Sequence, residues 1–433
     1  MAAVPAEPPG LVLAPFRALR YDMPRVGSPS TLTSPPYDVL DDAAVRDLEE
    51  RDEHNVVRLI LPRAEDGEPD RRYGIAADRL ARWRREGVLR TDQDPALYAY
   101  EETDMASGHV QRGLLGTVGL ARPETGVILP HENTMAGPVA DRLALTEATG
   151  TNLEPIFLVY DGQGVAAAAV ETVLPAAPLV DGEAGGERHR VWAVTDPDVL
   201  AAVAADLLPR RAVIADGHHR YATYLRYQEA RYAEGSGPGP WDRGLALLVD
   251  ASVAGPRVEA IHRVLTSVAF DVAVGRARDS GVVQITDLPA VGAHVPTALT
   301  NAGRERRHAF VLAGDGRAVL LSDPDPRALA GAVGEERSVA WRRLDVTVLH
   351  RWLLPAVLGV EDTEQAVGFE HSVHDALALA ASTGGTALLL NPTPVADVLA
   401  VAAAGERMPR KSTLFTPKPR TGLVIRALSD DGT

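Results

Sequence analysis

The chain has 433 residues, 45% of them hydrophobic, which is enough for two or three packed domains. Its 44 basic residues against 59 acidic ones leave a net charge of −15, which argues against a general nucleic-acid or anionic-membrane binder, since either needs a basic face. No cysteine occurs, so disulfides, thiolate metal sites and cysteine nucleophiles are excluded. The N-terminus carries no signal-like segment and no apolar run reaches spanning length, so a cytoplasmic location with no membrane partner is expected.

In chain order, residues 11–21 read as a short strand, followed by SPPYDVLDDAAVRDLEER. The paired prolines force an extended approach, Asp41 or Asp42 caps a helix reaching about Arg51, and Tyr37 and Asp38 are left in the loop before it. NVVRLILP has strand length and reads as a buried strand. Residues 70–86 set Tyr73, Ala77, Leu80 and Trp83 along one side of an amphipathic helix. ALYAYEETD and GHVQRGLLGTVGLA then read as β-strands about a turn at 106–108.

The next stretch, VILPHENTMAGPVADRLALTEATG, is a strand end, a loop and a helix carrying Asp141, Arg142 and Glu147. The His131-Glu132 pair has no second histidine four positions on, so the zinc-protease motif fails, although His131 remains a candidate lone ligand. Glu132 has two readings. It is a general base in a loop after an apolar strand, or a cap on the following helix.

VWAVTDPDVLAAVAADLLP delivers the chain, as strand and helix, to RAVIADGHHRYATYLRYQEARY. There an apolar run stops at an Asp-Gly pair and helical spacing begins. Asp216 is suited to cap the helix and Gly217 to turn the backbone with positive φ. His218, His219 and Arg220 crowd the first turn, where helix N–H groups point outward, and this combination favours a phosphate or carboxylate ligand. The plainer alternative is a capped helix with a solvated basic turn. RGLALLVDAS is another buried strand, and VEAIHRVL brings His262 and Arg263, either a second pair facing the ligand or a surface turn. Beyond residue 270, helix and strand patterns alternate up to TALLLNPTPVADVLAVAAAG, which feeds MPRKSTLFTPKPR. That segment holds Lys411 and Lys418, the two lysines of the chain, where every other basic side chain is arginine. An arginine-biased chain that keeps two clustered lysines points to a need for a compact ammonium, as in phosphate binding, against the alternative of two chance survivors.

With PPYDV at 35–39, PHENT at 130–134, ADGHHRY at 215–221 and MPRKSTLFTPK at 408–418, the chain resembles a bacterial family known as a domain of unknown function (DUF ten-fifteen). More distantly, the hydrophobic-x-D-G-x-H-R pattern is similar to the phosphate-contacting motif of the ParB and sulfiredoxin superfamily, which includes free-serine kinases with a D-G-H-H-R-Y signature. A cysteine-free chain departs from sulfiredoxin chemistry, and an acidic chain without a helix-turn-helix signal departs from the DNA clamps.

The interleaved patterns give a mixed α+β fold. The resemblance implies a ParB/sulfiredoxin-like core elaborated with a second α/β lobe. The core is placed at residues 1–270, and residues 271–433 return the MPRKST segment to its cleft. The implied activity is a small-molecule kinase that phosphorylates free L-serine to O-phosphoserine. With no P-loop and no convincing G-x-G-x-x-G unit, the donor is pyrophosphate or ATP/ADP. Phosphoryl transfer needs cations about the moving group, a divalent metal and a base for the hydroxyl. On this reading Asp216, Gly217, His218, His219 and Arg220 meet the donor phosphates together with Lys411, Ser412, Thr413 and Lys418. Glu132 is the base, with His131 beside it. Asp38 and Asp216 are assigned to Mg2+, Tyr37 and Asp38 to a metal-bound water or the substrate amine, and Arg142 to a substrate carboxylate. Two further readings are a ParB-type nucleotide-binding regulator and a metal-dependent phosphohydrolase built on His131, His218 and His219. Oligomeric state is not legible.

Overall fold

The apolar runs between residues 97 and 250 pair edge to edge into one sheet. Its strands are β1 (Leu13–Ala14), β2 (Leu97–Asp104), β3 (Val110–Gly119), β4 (Ile128–Leu129), β5 (Ile156–Tyr160), β6 (Val180–Ala184), β7 (Glu187–Val194), β8 (Ala212–Asp216) and β9 (Arg243–Asp250). They lie in the order β4-β8-β5-β9-β3-β2-β7-β6, with β1 added beside β3. The pairs β4/β8 and β5/β9 run parallel, and the rest are antiparallel. Parallel neighbours need crossover connections, which helices such as α1 (Ala136–Thr149) and α2 (His218–Ala233) supply. Leu114, Ile156, Leu158, Trp192, Ile214 and Leu248 meet in the core of this sheet. Gly244 on β9 leaves room for the Tyr224 ring of α2, whose nearest carbon would lie 2.3 Å from a Cβ placed there.

In this computed structural model, which describes residues 7–64, 71–162, 164–289, 294–304 and 308–430, the sheet belongs to a first unit, Met1–Pro256 with Pro417–Thr433. A second cluster of that unit gathers Leu19, Leu59, Leu80, Trp83, Leu145 and Ile425. The helix Asp42–Arg51 is capped as its sequence indicates, Asp41 Oδ1 accepting the Ala44 N–H at 2.8 Å. Helix Arg71–Arg85 buries Ala76, Leu80 and Trp83. NVVRLILP is not the strand its apolar content suggests. It forms the short helix Val57–Ile60, with the Val57 N–H donated to Asn55 Oδ1 at 2.9 Å. Val56, Val57, Leu59 and Ile60 are all fully buried, and an apolar run buried on every side has no periodicity that separates strand from helix. The last segment closes the unit through backbone bridges Ser34–Thr421 and Leu19–Ile425 and the pairing of Asn152 with Arg426.

The second unit, Arg257–Thr416, is built on β10 (His262–Leu265), β11 (Gln284–Leu288), β12 (Ala309–Gly314), β13 (Arg317–Ser322), β14 (Val367–Glu370) and β15 (Thr386–Leu390), in the order β11-β13-β12-β15-β10-β14. All of these pairs are antiparallel. Val264, Val311 and Leu389 lie in its core. The run LHRWLLPAV is a π-helix, Leu349–Val357, with Pro355 inside it and the Leu358 N–H reaching back to Leu353 O at 2.9 Å. A wide turn of this kind accommodates a residue that cannot donate. The chain as a whole is mixed α and β, and no helix among the described residues is long and apolar enough to cross a membrane.

Candidate functional site

The site begins where β8 ends. Val213 and Ile214 pair with Val159 and Leu158, but Asp216, not Ala215, faces Phe157, so the strand bulges by one residue just before the turn. A bulge re-aims the side chain that follows it, here Asp216. Gly217 then adopts φ 89° and ψ 30°, in the left-handed region, and α2 starts at His218. The cap differs from the sequence expectation. Gly217 occupies the cap position and no side chain caps the helix. The Asp216 carboxylate is turned away to Arg220, one helical turn on, to which its Oδ2 is tightly hydrogen-bonded.

Asp216 thereby becomes the meeting point of two cations. Its Oδ1 accepts from Lys418 Nζ at 2.5 Å, and the same ammonium lies 3.9 Å from Asp38 Oδ1. Arg220 is 4% exposed and also donates to Pro155 O. Burial works against its charge, but the carboxylates of Asp216, Glu154 and Asp38 outweigh burial and hold its pKa above the usual arginine value. Arg220 is therefore committed to bracing Asp216, whereas Lys418 is held by side chains alone and remains partly exposed.

The PHENT loop lies over the helix start. The His131 backbone N–H donates to His218 Nε2 at 3.3 Å, and the two imidazoles meet edge to face with centroids 4.7 Å apart. Glu132 sits astride them, Oε1 4.0 Å from His131 Nε2 and Oε2 3.9 Å from His218 Nδ1. Both imidazoles are buried while the Glu132 side chain is 39% exposed. Glu132 does not cap α1, whose cap position is Met135 with no side-chain cap bond. The Met135 N–H instead donates to His219 Nε2 at 3.0 Å. That acceptor role needs a neutral ring, and burial, aided by Arg220, lowers the His219 pKa against the opposing pull of Asp38 and Asp216.

Behind Asp216 lies a layer the sequence did not single out, centred on Glu154, which is 4% exposed. Glu154 Oε1 accepts the Tyr37 N–H at 3.0 Å and the Thr421 hydroxyl at 3.3 Å, and Oε2 is 3.8 Å from Arg142. Burial raises the Glu154 pKa, and Arg220 and Arg142 oppose it. Arg142 lies over the Tyr37 ring at 4.4 Å, binds Asp141 Oδ2 with two nitrogens at 2.6 and 2.9 Å, and donates to Ile60 O at 2.6 Å. A substrate carboxylate at Arg142 would have to displace Asp141. Burial, partly offset by Arg220 and Arg142, pushes the Tyr37 hydroxyl up to about 12. A cavity of about 30 Å3 bordered by Arg142, Asn152, Glu154, Arg220 and Tyr224 has room for water.

The remaining predicted residues lie in the second unit. Lys411 has φ 53°, one of three non-glycine residues in the left-handed region among those described. The Ser412 hydroxyl donates to Pro409 O at 2.5 Å, and Thr413 precedes the strand Leu414–Thr416. His262 and Arg263 are not in a surface turn. They are buried on β10, 6% and 0% exposed, and Arg263 Nη2 donates to Lys411 O and approaches His350 Nε2, both at 2.9 Å.

A family profile described as "Protein of unknown function (DUF1015)" matches residues 13–347. No curated protein matches the chain. Among solved structures, a free serine kinase variant in complex with ADP is 12% identical, covering 74% of this chain and 95% of its own, with a TM-score of 0.35. A C-terminally truncated SbnI from Staphylococcus aureus is 12% identical over 72% of this chain and 87% of its own, with a TM-score of 0.34. A conserved hypothetical protein from Pyrococcus furiosus is 12% identical over 73% and 97%, with a TM-score of 0.33.

Proposed function

The chain belongs to the DUF1015 family, and from that premise we propose that its first unit is a small-molecule phosphotransferase that moves a phosphoryl group from ATP, ADP or pyrophosphate to the hydroxyl of free L-serine. The observation that carries this reading is Lys418, an ammonium lodged between Asp216 and Asp38 beside the start of α2. Because Arg220 stays on Asp216, Lys418 can turn onto an incoming phosphate without leaving that carboxylate unpaired. The uncapped helix start adds its partial positive charge at the same place.

In the proposed reaction the bond from phosphorus to the donor's bridging oxygen breaks, a bond to the serine Oγ forms, and Glu132 takes the hydroxyl proton. The imidazoles of His131 and His218 flank the carboxylate at 4.0 and 3.9 Å, and its exposure gives a substrate access. Asp38 and Asp216 offer the hard oxygens that Mg2+ requires, with donor phosphates completing the coordination. That ion would neutralise charge on the transferring group. Serine as the acceptor rests on the DGHHRY resemblance, with Asp38 facing its amine.

The test is direct. Purified full-length protein with L-serine, Mg2+ and each donor in turn is followed by 31P NMR for O-phosphoserine. Product is expected with at least one donor, and Glu132→Gln should slow its formation by about 10²- to 10⁴-fold. No product with any of the three donors removes the reading, and phosphate release without phosphoserine redirects it to hydrolysis.

A further inference from the structure

Away from this site, three adjacent strands of the first sheet place a set of metal-ligating groups on one buried face. Direct cross-strand partners point to the same side, and so do residues two apart on one strand. Glu102 on β2 is opposite Gln111 on β3 and opposite His189 on β7, and Glu187 lies two residues before His189. Ligand atoms of Glu102, Glu187 and His189 all fall within 4.8 Å of one another. Around one ion, ligands at about 2.1 Å in tetrahedral geometry are roughly 3.4 Å apart, so rotations of the carboxylates are enough to close the set.

Three details of the contacts bear on what fills the space. His189 Nε2 is 3.1 Å from Ala184 O, which can only accept, so the proton is on Nε2 and Nδ1 presents a lone pair. Metal-binding histidines are commonly oriented by such a bond from the far nitrogen to a carbonyl. That Nδ1 lies 3.5 Å from Glu102 Oε1 and accepts from Tyr100 OH at 2.9 Å, a bond that an ion at this position would replace. The second, independent observation is Gln111, 1% exposed. Its Nε2 is 3.4 Å from Glu102 Oε2, yet its buried Oε1 has no hydrogen-bond partner among the described residues. Gln111 Oε1 is thus a candidate fourth donor atom on the sheet face that carries the two carboxylates and the imidazole.

We propose that Glu102, Glu187, His189 and Gln111 form a divalent metal site, distinct from Asp38 and Asp216. Two carboxylates, an amide oxygen and an imidazole nitrogen suit Mn2+ or Zn2+ better than Mg2+, which rarely takes nitrogen. The site has a consequence for the first one. Gln111 Nε2 also donates to Pro417 O at 3.3 Å, and Tyr100 OH accepts the Arg420 N–H at 3.3 Å. The segment on either side of Lys418 is thus fastened to the side chains that would hold the ion, and metal binding stiffens the backbone from which Lys418 reaches Asp216.

Chelator-treated full-length protein is titrated with MnCl2 and ZnCl2 by calorimetry. The expected result is one equivalent bound, with affinity reduced at least about 100-fold in His189→Gln and far weaker with MgCl2. Crystals of the unaltered protein soaked in MnCl2 should show an anomalous peak between Glu102, Glu187 and His189, which keeps the test intact if His189→Gln folds poorly. No saturable binding, equal binding in His189→Gln with normal circular dichroism, or an anomalous peak only elsewhere overturns the site and leaves a buried proton-sharing network. None of these outcomes depends on phosphoserine formation.

Discussion

At the scale of single residues, Lys418 shows what composition can and cannot reveal. Its type stood out because the rest of the chain uses arginine, and its place 2.5 Å from Asp216 fits a compact ammonium better than a planar guanidinium. Lys418→Arg should therefore fail to restore the phosphoserine formation lost in Lys418→Ala, and recovery to more than about half of the wild-type rate would contradict that role. Asp216 stood out in the sequence as a helix cap, but the partner of its carboxylate was misread. Its spacing of four from Arg220 is the spacing of a helical pair, while the intervening Asp-Gly turn favoured a cap. Because Arg220 is 4% exposed, Asp216→Asn should cost about 3–5 kcal/mol in urea denaturation, and adding Arg220→Met should recover much of that loss. A single variant as stable as the wild type would show that the pair does not brace the turn. Glu154 was not legible at all, since its link to Tyr37 spans 117 residues and nothing local marks a glutamate before a strand.

At the scale of elements, local turn chemistry was readable where short-range sterics decide it. Gly217 was expected at positive φ and is at 89°, and an added Cβ would also lie 3.1 Å from Arg220 Nε. Gly235 has a similar φ of 83° with nothing within 4 Å, so it isolates the backbone cost. Both alanine variants should lose about 1–2 kcal/mol, but only Gly217→Ala should also weaken pyrophosphate binding. Equal binding in the two would detach the turn from the site. The strand read into NVVRLILP failed for the opposite reason, because total burial erases the pattern that separates the two structures.

Strand β10 carries a pH dependence. Burial, with Arg263 and His371 adding like charge, lowers the His262 pKa from 6.5 to about 4. Between those values the unfolded chain takes up the proton and the folded one does not, so this stabilisation is present above pH 6.5 and is lost as pH falls toward 4. The second unit should lose up to about 3 kcal/mol across that window, measured by denaturation, and His262→Phe should flatten the profile. An equally steep profile in the variant would place the proton uptake elsewhere.

At the scale of the whole molecule, strand-helix alternation was enough to read a mixed α and β chain, but not that its last segment, Pro417–Thr433, belongs to the first unit. That closure is made by bridges of long sequence separation, Leu19 with Ile425 and Ser34 with Thr421, which no local pattern encodes. It also removes a fully buried Arg426 from water, against Asn152 Oδ1 at 2.9 Å, Arg243 O at 2.6 Å and Pro240 O at 2.7 Å. Ending the chain at Thr416 should therefore open the first unit to limited proteolysis while the second unit stays resistant. Unchanged protection of the first unit would contradict this division.

The claim on which the account turns is that Lys418 leaves Asp216 for a donor phosphate. Calorimetric titration of the full-length protein and of Lys418→Ala with pyrophosphate and with ADP, in Mg2+, measures it most directly. The account predicts saturable binding of at least one donor and a loss of about 10- to 100-fold in the variant, the worth of one charge-assisted hydrogen bond. Affinity for both donors that is unchanged without the lysine, or absent with it, would contradict the claim.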